Sequence, residues 1–428
     1  MNILNYNLPK AHFHSLIELV KSGHIVYTNW HDTTKYEPSF GINHLENNDN
    51  LIVATASGPF INDEEKEERQ NELISLTEKL INEYNIDILQ VCIPTAGFLH
   101  DHFADKVQYI GPSVKASRLE TDKLYSKYLA QELKYKIPKL IRSGKYSNEN
   151  YCKDLTFPCI EKPSYTWNPA CIFNSEKDAQ RAIEQFRNRE WPRHQDFHYY
   201  IEEYIHDMIE TNVFFVISNG KYVITHTQQI IGENLNKTVD ANVWYFGSYI
   251  KPLTKENDLL VRQKAHNYLN YIAKMDGWKN YGCWEGSFCG ALTSDNEWYF
   301  LEVNVRPDIF NSTPIFMTGD EYLKGMFEDI NIIENAWKDK NIEKLLITTN
   351  DSSNEYPIHL HDKYGVSYPN NLEIGDNGKY FGSIYGITNH NNQLTGSGTI
   401  IADVNIPIEF IKEIEETTDW TFNEEPNI

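Results

Sequence analysis

The segment Trp298-Tyr299-Phe300-Leu301-Glu302-Val303-Asn304-Val305-Arg306-Pro307 constrains this chain more than any other. Alternate side chains of an extended strand point the same way. Glu302, Asn304 and Arg306 therefore share one face, and Leu301, Val303 and Val305 share the other. A carboxylate, an amide and a guanidinium lined up on an otherwise apolar strand are costly unless something binds them. Glu and Asn oxygens are hard ligands suited to magnesium. Arginine is a natural fork for a phosphate or carboxylate. The same alternation also suits an edge strand with one wet face, so the choice depends on what accompanies it.

A chain of 428 residues is too long for one simple core, and two to four structural units are expected. With 40% hydrophobic and 23% charged residues it has the make-up of an ordinary soluble protein. No apolar run approaches the length of a membrane span. The start, Met1-Asn2-Ile3-Leu4-Asn5, lacks a basic region followed by an apolar one, so no secretory signal is expected. The 6 cysteines show no Cys-x-x-Cys spacing and are expected as free thiols in a reducing cytoplasm. The formal charge of -22 argues against binding nucleic acid or an anionic membrane. An anionic small substrate would then need a local cationic pocket.

Residues 1–112 read as alternating strands and helices, which implies a parallel sheet with covering helices. Strand-like runs lie at Ile25-Val26-Tyr27, Leu51-Ile52-Val53-Ala54 and Ile88 to Ile93, with a helix from Glu64 to Tyr84. Tyr109-Ile110 adds another short strand. A helix with Thr121 as its N-cap is predicted to Lys134, with Leu124, Tyr128, Leu129 and Leu133 as its apolar stripe. A second α/β unit starts at Pro158, continues through a helix over Ser175 to Arg187 and returns at His198 to Ile205. A hairpin is expected around Asn219-Gly220, a helix over 256–275, and a strand pair at Cys283–Leu292 and Trp298–Val305. The segment after about 350 reads as β-rich and punctuated by glycine, closing with a helix at Ile408 to Glu416.

Several constellations can carry chemistry. Lys123 lies in the first turn of a helix, where backbone N–H groups and the dipole already favour an anion. Lys162 ends an apolar strand, kept extended by Pro163, and can reach a phosphate. Each lysine alone is equally a solvated side chain. Tyr200-Ile201-Glu202-Glu203-Tyr204-Ile205 is a strand leaving consecutive carboxylates, with Glu210 beyond it. The pairs His100/His102 and His359/His361 lack a third ligand at a metal-site spacing. No nucleophile elbow, Walker lysine loop or dinucleotide fingerprint occurs.

The order Lys123, Lys162, Glu202/Glu203, Glu302-x-Asn304-x-Arg306 resembles the ATP-grasp superfamily, whose members clamp ATP between two α+β lobes. Within it, Tyr109-Ile110-Gly111-Pro112-Ser113 with Ala116 to Lys123, the Ile201-Glu202-Glu203-Tyr204-Ile205 run and Glu302-Val303-Asn304-Val305-Arg306 are similar to segments of glycinamide ribonucleotide synthetase (phosphoribosylamine–glycine ligase). The resemblance implies an α/β protein with three parts: an N-terminal Rossmann-like parallel-sheet domain (1–112), an ATP-grasp domain of two lobes (113–345, lid near 158–200) and a small β-rich C-terminal domain (346–428). It implies that Lys123 and Lys162 contact ATP phosphates, that Glu202, Glu203, Tyr204 and Ile205 form the adenine hinge, and that Glu210 holds the ribose. Glu302, Asn304 and, more weakly, Glu285 would ligate Mg2+ (or Mn2+). Arg306 would hold the transferring phosphoryl group.

The implied chemistry is amide formation through an acyl phosphate, from a small carboxylic acid and an amine, by a monomer or homodimer. The N-terminal glycine-rich opening is missing here, and the lid run Lys162-Pro163-Ser164-Tyr165-Thr166-Trp167-Asn168-Pro169 contains no glycine. These departures point to substrates other than those of the purine-pathway enzyme. That enzyme itself, or a nucleotide-binding protein without catalysis, are the alternatives. Tyr165, Trp167, Trp244 and Tyr245 suggest a ring-lined pocket, or core packing.

Overall fold

The structure is a computed structural model. It describes residues 1–6, 13–28, 42–44, 63–145, 152–164, 170–187, 198–231, 248–276, 282–307, 316–340, 343–349, 380–388 and 394–402. The strand expected at Leu51 to Ala54, the closing helix at Ile408 to Glu416, the His359/His361 pair and the aromatics Tyr165, Trp167, Trp244 and Tyr245 lie outside these residues.

The N-terminal part is a parallel sheet of β1 (Asn2–Tyr6), β2 (Ile25–Thr28), β3 (Ile42–His44), β4 (Ile88–Val91) and β5 (Gln108–Ile110), in the order β3-β2-β1-β4-β5. The strand β1 was not legible, because Asn2 and Asn5 interrupt its apolar pair Ile3-Leu4, yet it lies at the centre of the sheet. The two faces are distinct. Leu4, Leu89 and Val91 pack on the helix Asp63–Tyr84, while Ile3, Val26, Ile88 and Ile110 pack with the helices Phe13–Lys21 and Gly319–Phe327. That second cluster also takes in Val216 and Val223 from the hairpin around Asn219-Gly220, together with Cys283. Gly111, at φ +155, donates its backbone N–H to Cys283 O at 2.7 Å; a Cβ there would lie 2.6 Å from Val91 O.

A smaller antiparallel sheet contains β6 (Leu140–Lys145), β7 (Cys159–Pro163), β8 (Cys171–Phe173) and β9 (His198–Glu203), ordered β6-β9-β7-β8. The amphipathic helix Glu176–Arg187 closes its core through Ala179, Ala182 and Ile183. The large sheet contains β10 (Met208–Ser218), β11 (Lys221–Ile231), β12 (Ser248–Lys251), β13 (Trp284–Thr293), β14 (Trp298–Asn304), β15 (Glu343–Thr349), β16 (Tyr380–Thr388) and β17 (Leu394–Ala402). Its order is β14-β13-β10-β11-β12-β15-β17-β16. The expected boundary at 346 falls inside β15, and β15, β17 and β16 extend this sheet beyond β12. The class is α/β as expected.

Two local expectations are corrected. Thr121 ends one helix, Val114–Thr121, and the next begins at Lys123. Asp122 separates them: its backbone leaves the helical region at φ -132 and its carboxylate caps Tyr125 N at 3.1 Å. The second concerns Leu301. The register of β13 on β14 shifts between Cys289 and Gly290, so Glu302 faces Cys289 and Phe300 faces Gly290, with Leu301 between them. Leu301 therefore packs with Cys289, Ala291 and Tyr299, while Val303 and Val305 join the core under the helices Val114–Thr121 and Lys255–Ile272.

Candidate nucleotide site

Three ammonium groups converge on two carboxylates where the two antiparallel sheets meet the helix Lys123–Glu132. Lys123 Nζ lies 2.7 Å from Glu302 Oε2 on β14. Lys162 Nζ on β7 lies 3.0 Å from Glu202 Oε1 on β9, and Lys127 Nζ lies 2.8 Å from Glu202 Oε2. Local geometry brings them together. Lys123 and Lys127 are four apart on one helix and share a face. Ile160 pairs with Glu202 on the neighbouring strand, which sets Lys162 diagonal to the carboxylate. Lys123 N also donates to Ser164 O at 3.0 Å, tying the helix start to the segment that leaves β7.

Burial makes these pairings matter. The Glu202 and Lys127 side chains are 1% and 2% exposed. Burial alone would push the Glu202 carboxyl up; the Lys127 and Lys162 charges outweigh it and hold the group below the usual carboxylate range. Glu302 behaves likewise: burial opposes ionisation, but Lys123 and Lys162 draw it down to about 2. Lys127 goes the other way, since burial outweighs Glu202 and lowers its ammonium to about 8. For Lys162, burial lowers the ammonium, but Glu202, Glu302 and Glu210 together carry it above its ordinary value.

The remaining members of the strand are anchored separately. Arg306 Nε donates to Glu120 Oε1 at 2.9 Å, and Val305 N donates to Glu120 Oε2 at 2.8 Å. Glu120 thereby clips the end of the strand to the helix Val114–Thr121. Asn304 Nδ2 donates to Ser287 Oγ at 3.2 Å and meets Cys289 Sγ at 3.7 Å, so the amide's remaining polar atom is its oxygen.

The expected residues divide as follows. Lys123, Lys162, Glu202 and Glu302 form one charged network, Glu210 reaches it through its charge on Lys162, and Asn304 and Arg306 continue its strand. Glu202, expected in an adenine hinge, turns its carboxylate to the two lysines. Glu203 points away from it, accepting from Lys139 N at 2.9 Å, as alternation on a strand requires. Tyr204 stacks edge-on to His206, and Ile205 packs on the Cys289–Leu301 cluster. Glu285 Oε1, on β13, accepts from Tyr322 OH at 2.8 Å. Lys127 and Glu120 were not legible as site residues, although the spacing of Lys127 from Lys123 was a signal.

A divalent ion fits the donor set. Among the described residues, no group of three or more His, Cys, Asp or Glu side chains could hold a metal by itself. One ionised carboxylate and one amide oxygen beside lysines suit Mg2+, which typically draws its remaining ligands from phosphates and water. No helix among the described residues is long and apolar enough to cross a membrane.

No family profile matches the sequence, and no curated protein matches it. Solved structures do. Biotin carboxylase from Campylobacter jejuni, solved as a β-γ-ATP complex, superposes with TM-score 0.59 at 14% identity over 97% of this chain and 90% of that one. N5-carboxyaminoimidazole synthetase from Staphylococcus aureus gives TM-score 0.58 at 12% identity, covering 98% and 97%. L-amino acid ligase from Bacillus licheniformis gives 0.58 at 12%, covering 82% and 80%. This is the ATP-grasp fold. In the ATP-grasp frame, the charged network lies where the helix Lys123–Glu132, β7, β9 and β14 approach one another. The narrower resemblance to glycinamide ribonucleotide synthetase rests on the sequence segments.

Proposed function

We propose that the chain is an ATP- and Mg2+-dependent carboxylate–amine ligase that forms an amide through an acyl phosphate. The convergence of Lys123, Lys127 and Lys162 on Glu202 and Glu302 carries this reading. Three ammonium groups held in place by one buried and one half-buried carboxylate form a cradle for a polyphosphate. A neighbouring carboxylate kept ionised can take a divalent ion. Further support comes from structures of this fold solved with nucleotide, among them the C. jejuni complex and a 2-oxoglutarate carboxylase domain from Hydrogenobacter thermophilus with MgADP.

Lys123 and Lys162 would hold the β- and γ-phosphates. The hinge backbone at Glu203 to Ile205 would take the adenine, and Glu210 the ribose. Glu302 and Asn304 would hold Mg2+, which supplies neutralisation of charge on the phosphate oxygens. Arg306, oriented by Glu120, would neutralise the phosphoryl group as a substrate carboxylate attacks its phosphorus and ADP leaves with the electron pair of the broken P–O bond. An amine then displaces phosphate from the resulting acyl phosphate, and phosphate leaves with the electron pair of the broken C–O bond. Such chemistry needs alignment and charge stabilisation rather than a nucleophilic side chain. The glycine-free lid run favours an acid and amine other than those of glycinamide ribonucleotide synthesis.

The test is ADP and phosphate release from Mg-ATP across a panel of carboxylic acids paired with amino acids and amines. Release that requires both an acid and an amine supports the ligase. Release with glycine and phosphoribosylamine specifically would assign the purine enzyme instead. Mg-ATP binding with no release for any pair would make the chain a nucleotide-binding protein.

A further inference from the structure

The face of the parallel sheet turned toward the large sheet ends in a row of polar side chains among apolar neighbours. Asn5 on β1 lies in register with Thr28 on β2 and with Gln90 on β4. Asn5 Nδ2 donates to Gln90 Oε1 at 2.9 Å, Gln90 Nε2 to Tyr322 OH at 3.4 Å, and Tyr322 OH to Glu285 Oε1 at 2.8 Å. All five side chains are buried. Each donor on this line is turned toward its Glu285 end, so Asn5 gives its N–H to Gln90. What is left at the head of the line is an acceptor.

That acceptor, Asn5 Oδ1, is buried without a hydrogen-bond partner, and so is Thr28 Oγ1 beside it. Asn5 is 1% exposed and Thr28 0%. The two atoms belong to register partners on neighbouring strands, and an unmade buried bond costs about 1–3 kcal/mol. Their position is informative. The order β3-β2-β1-β4-β5 reverses direction between β1 and β4, and Asn5, Thr28 and Gln90 sit near the carboxyl ends of their strands. Open parallel sheets bind ligands at that reversal, beyond the carboxyl ends. The other end of the line points to the nucleotide site. Glu285 is two residues along β13 from Ser287, the register partner of Asn304.

We propose that Asn5 and Thr28 seat a primary ammonium group carried by a substrate of the ligase. The assignment rests on the ligase reading for the identity of the ligand as substrate, and on the orphaned atoms for its chemistry. An ammonium offers three donors and no acceptor, matching an amide oxygen and a hydroxyl that can rotate to accept. An anion would meet the oxygen end of a hydrogen-bonded line. The group is either that of the attacking amine or that of an amino acid whose carboxylate is activated.

Calorimetric titration of the full chain with methylammonium chloride, glycine and sodium acetate, at matched ionic strength, tests the seat. The comparison variant is Thr28→Val, whose lost hydroxyl has no bond to forfeit; it should melt no lower than the parent chain. Methylammonium and glycine should both bind, acetate should not, and Thr28→Val should weaken both by about tenfold or more. Methylammonium binding as well as glycine assigns the seat to an amine. Glycine binding more tightly assigns it to an amino acid. Affinities unchanged in Thr28→Val, or binding of acetate alone, overturn the proposal, water being then the occupant. The two readings fail separately. Thr28-dependent methylammonium binding with no ATP cleavage for any acid–amine pair ends the ligase and supports the seat. Amine-dependent cleavage with the amine KM unchanged in Thr28→Val ends the seat and keeps the ligase.

Discussion

Lys127 and Glu202 meet at 2.8 Å with both side chains buried, and Glu202 spends its second oxygen on Lys162. One carboxylate therefore neutralises a buried cation from a helix and a half-buried one from a strand. Removing a single partner of a buried pair leaves an uncompensated charge, which destabilises by about 3–5 kcal/mol. Glu202→Gln should lose that much in urea denaturation. Adding Lys127→Met to it should restore part of the loss, because one of the stranded cations is gone. A Glu202→Gln chain as stable as the parent would show that the network is solvated.

The same burial sets a pH dependence. Lys127 is lowered from 10.5 to about 8, burial outweighing the attraction of Glu202. Between those values the unfolded chain binds the proton that the folded chain has released, so this group's contribution to stability rises with pH across that window. Nucleotide binding should move the opposite way, because a neutral lysine holds phosphate poorly. Affinity for Mg-ATP should fall as pH rises through about 8, and Lys127→Arg, which stays charged, should remove the inflection. Binding measured at several pH values decides it; an inflection retained in Lys127→Arg belongs to another group.

The parts of this site legible from sequence were those whose residue type already contradicted its setting. Glu302, Asn304 and Arg306 stood out because three polar groups interrupt an apolar strand, and Lys162 because it ends one. Lys127 did not, since a lysine inside a helix ordinarily faces water, and only tertiary packing of its helix against the strands carrying Glu202 and Glu302 buries it. Glu202 and Glu203 could be read as a pair but not assigned separately. Alternation sends one to the lysines and the other to Lys139 N, and the sequence does not say which. Glu285 was placed on the right strand, but its partner Tyr322 comes from a helix that only tertiary packing brings near. The extra residue at Leu301 depends on how β14 lies against β13, a property of two strands that no single one carries.

Glu302 is held at about 2 against its ordinary 4.5, because Lys123 and Lys162 overcome the effect of burial. A lowered carboxylate contributes stability that is complete above 4.5 and lost as pH falls through about 2. Glu302→Gln should therefore flatten the acid limb of the melting-temperature profile. It should also abolish the dependence of ATP binding on Mg2+, read by calorimetry with and without the ion. Magnesium-dependent binding retained in Glu302→Gln would place the ion elsewhere.

Glu120 joins the segment at the end of β14 to its neighbouring helix through two donors, the backbone N–H of Val305 and Nε of Arg306. Burial raises the Glu120 carboxyl, while Arg306 and the Val305 amide pull against that rise. The arginine is held at Nε by Glu120, so its aim depends on this carboxylate. Glu120→Gln keeps an acceptor for Val305 N but removes the charge that orients Arg306. Phosphate release should slow by about tenfold or more, as expected when a charge-assisted bond worth about 1.5–3 kcal/mol is lost from a positioning group. The KM for ATP should change little, because Lys123 and Lys162 are left in place. Arg306→Lys should slow release as well, since a lysine cannot bond Glu120 and a phosphoryl oxygen in the same plane. If Glu120→Gln raised the KM for ATP and left kcat alone, Arg306 would belong to ground-state nucleotide binding rather than to the transfer step.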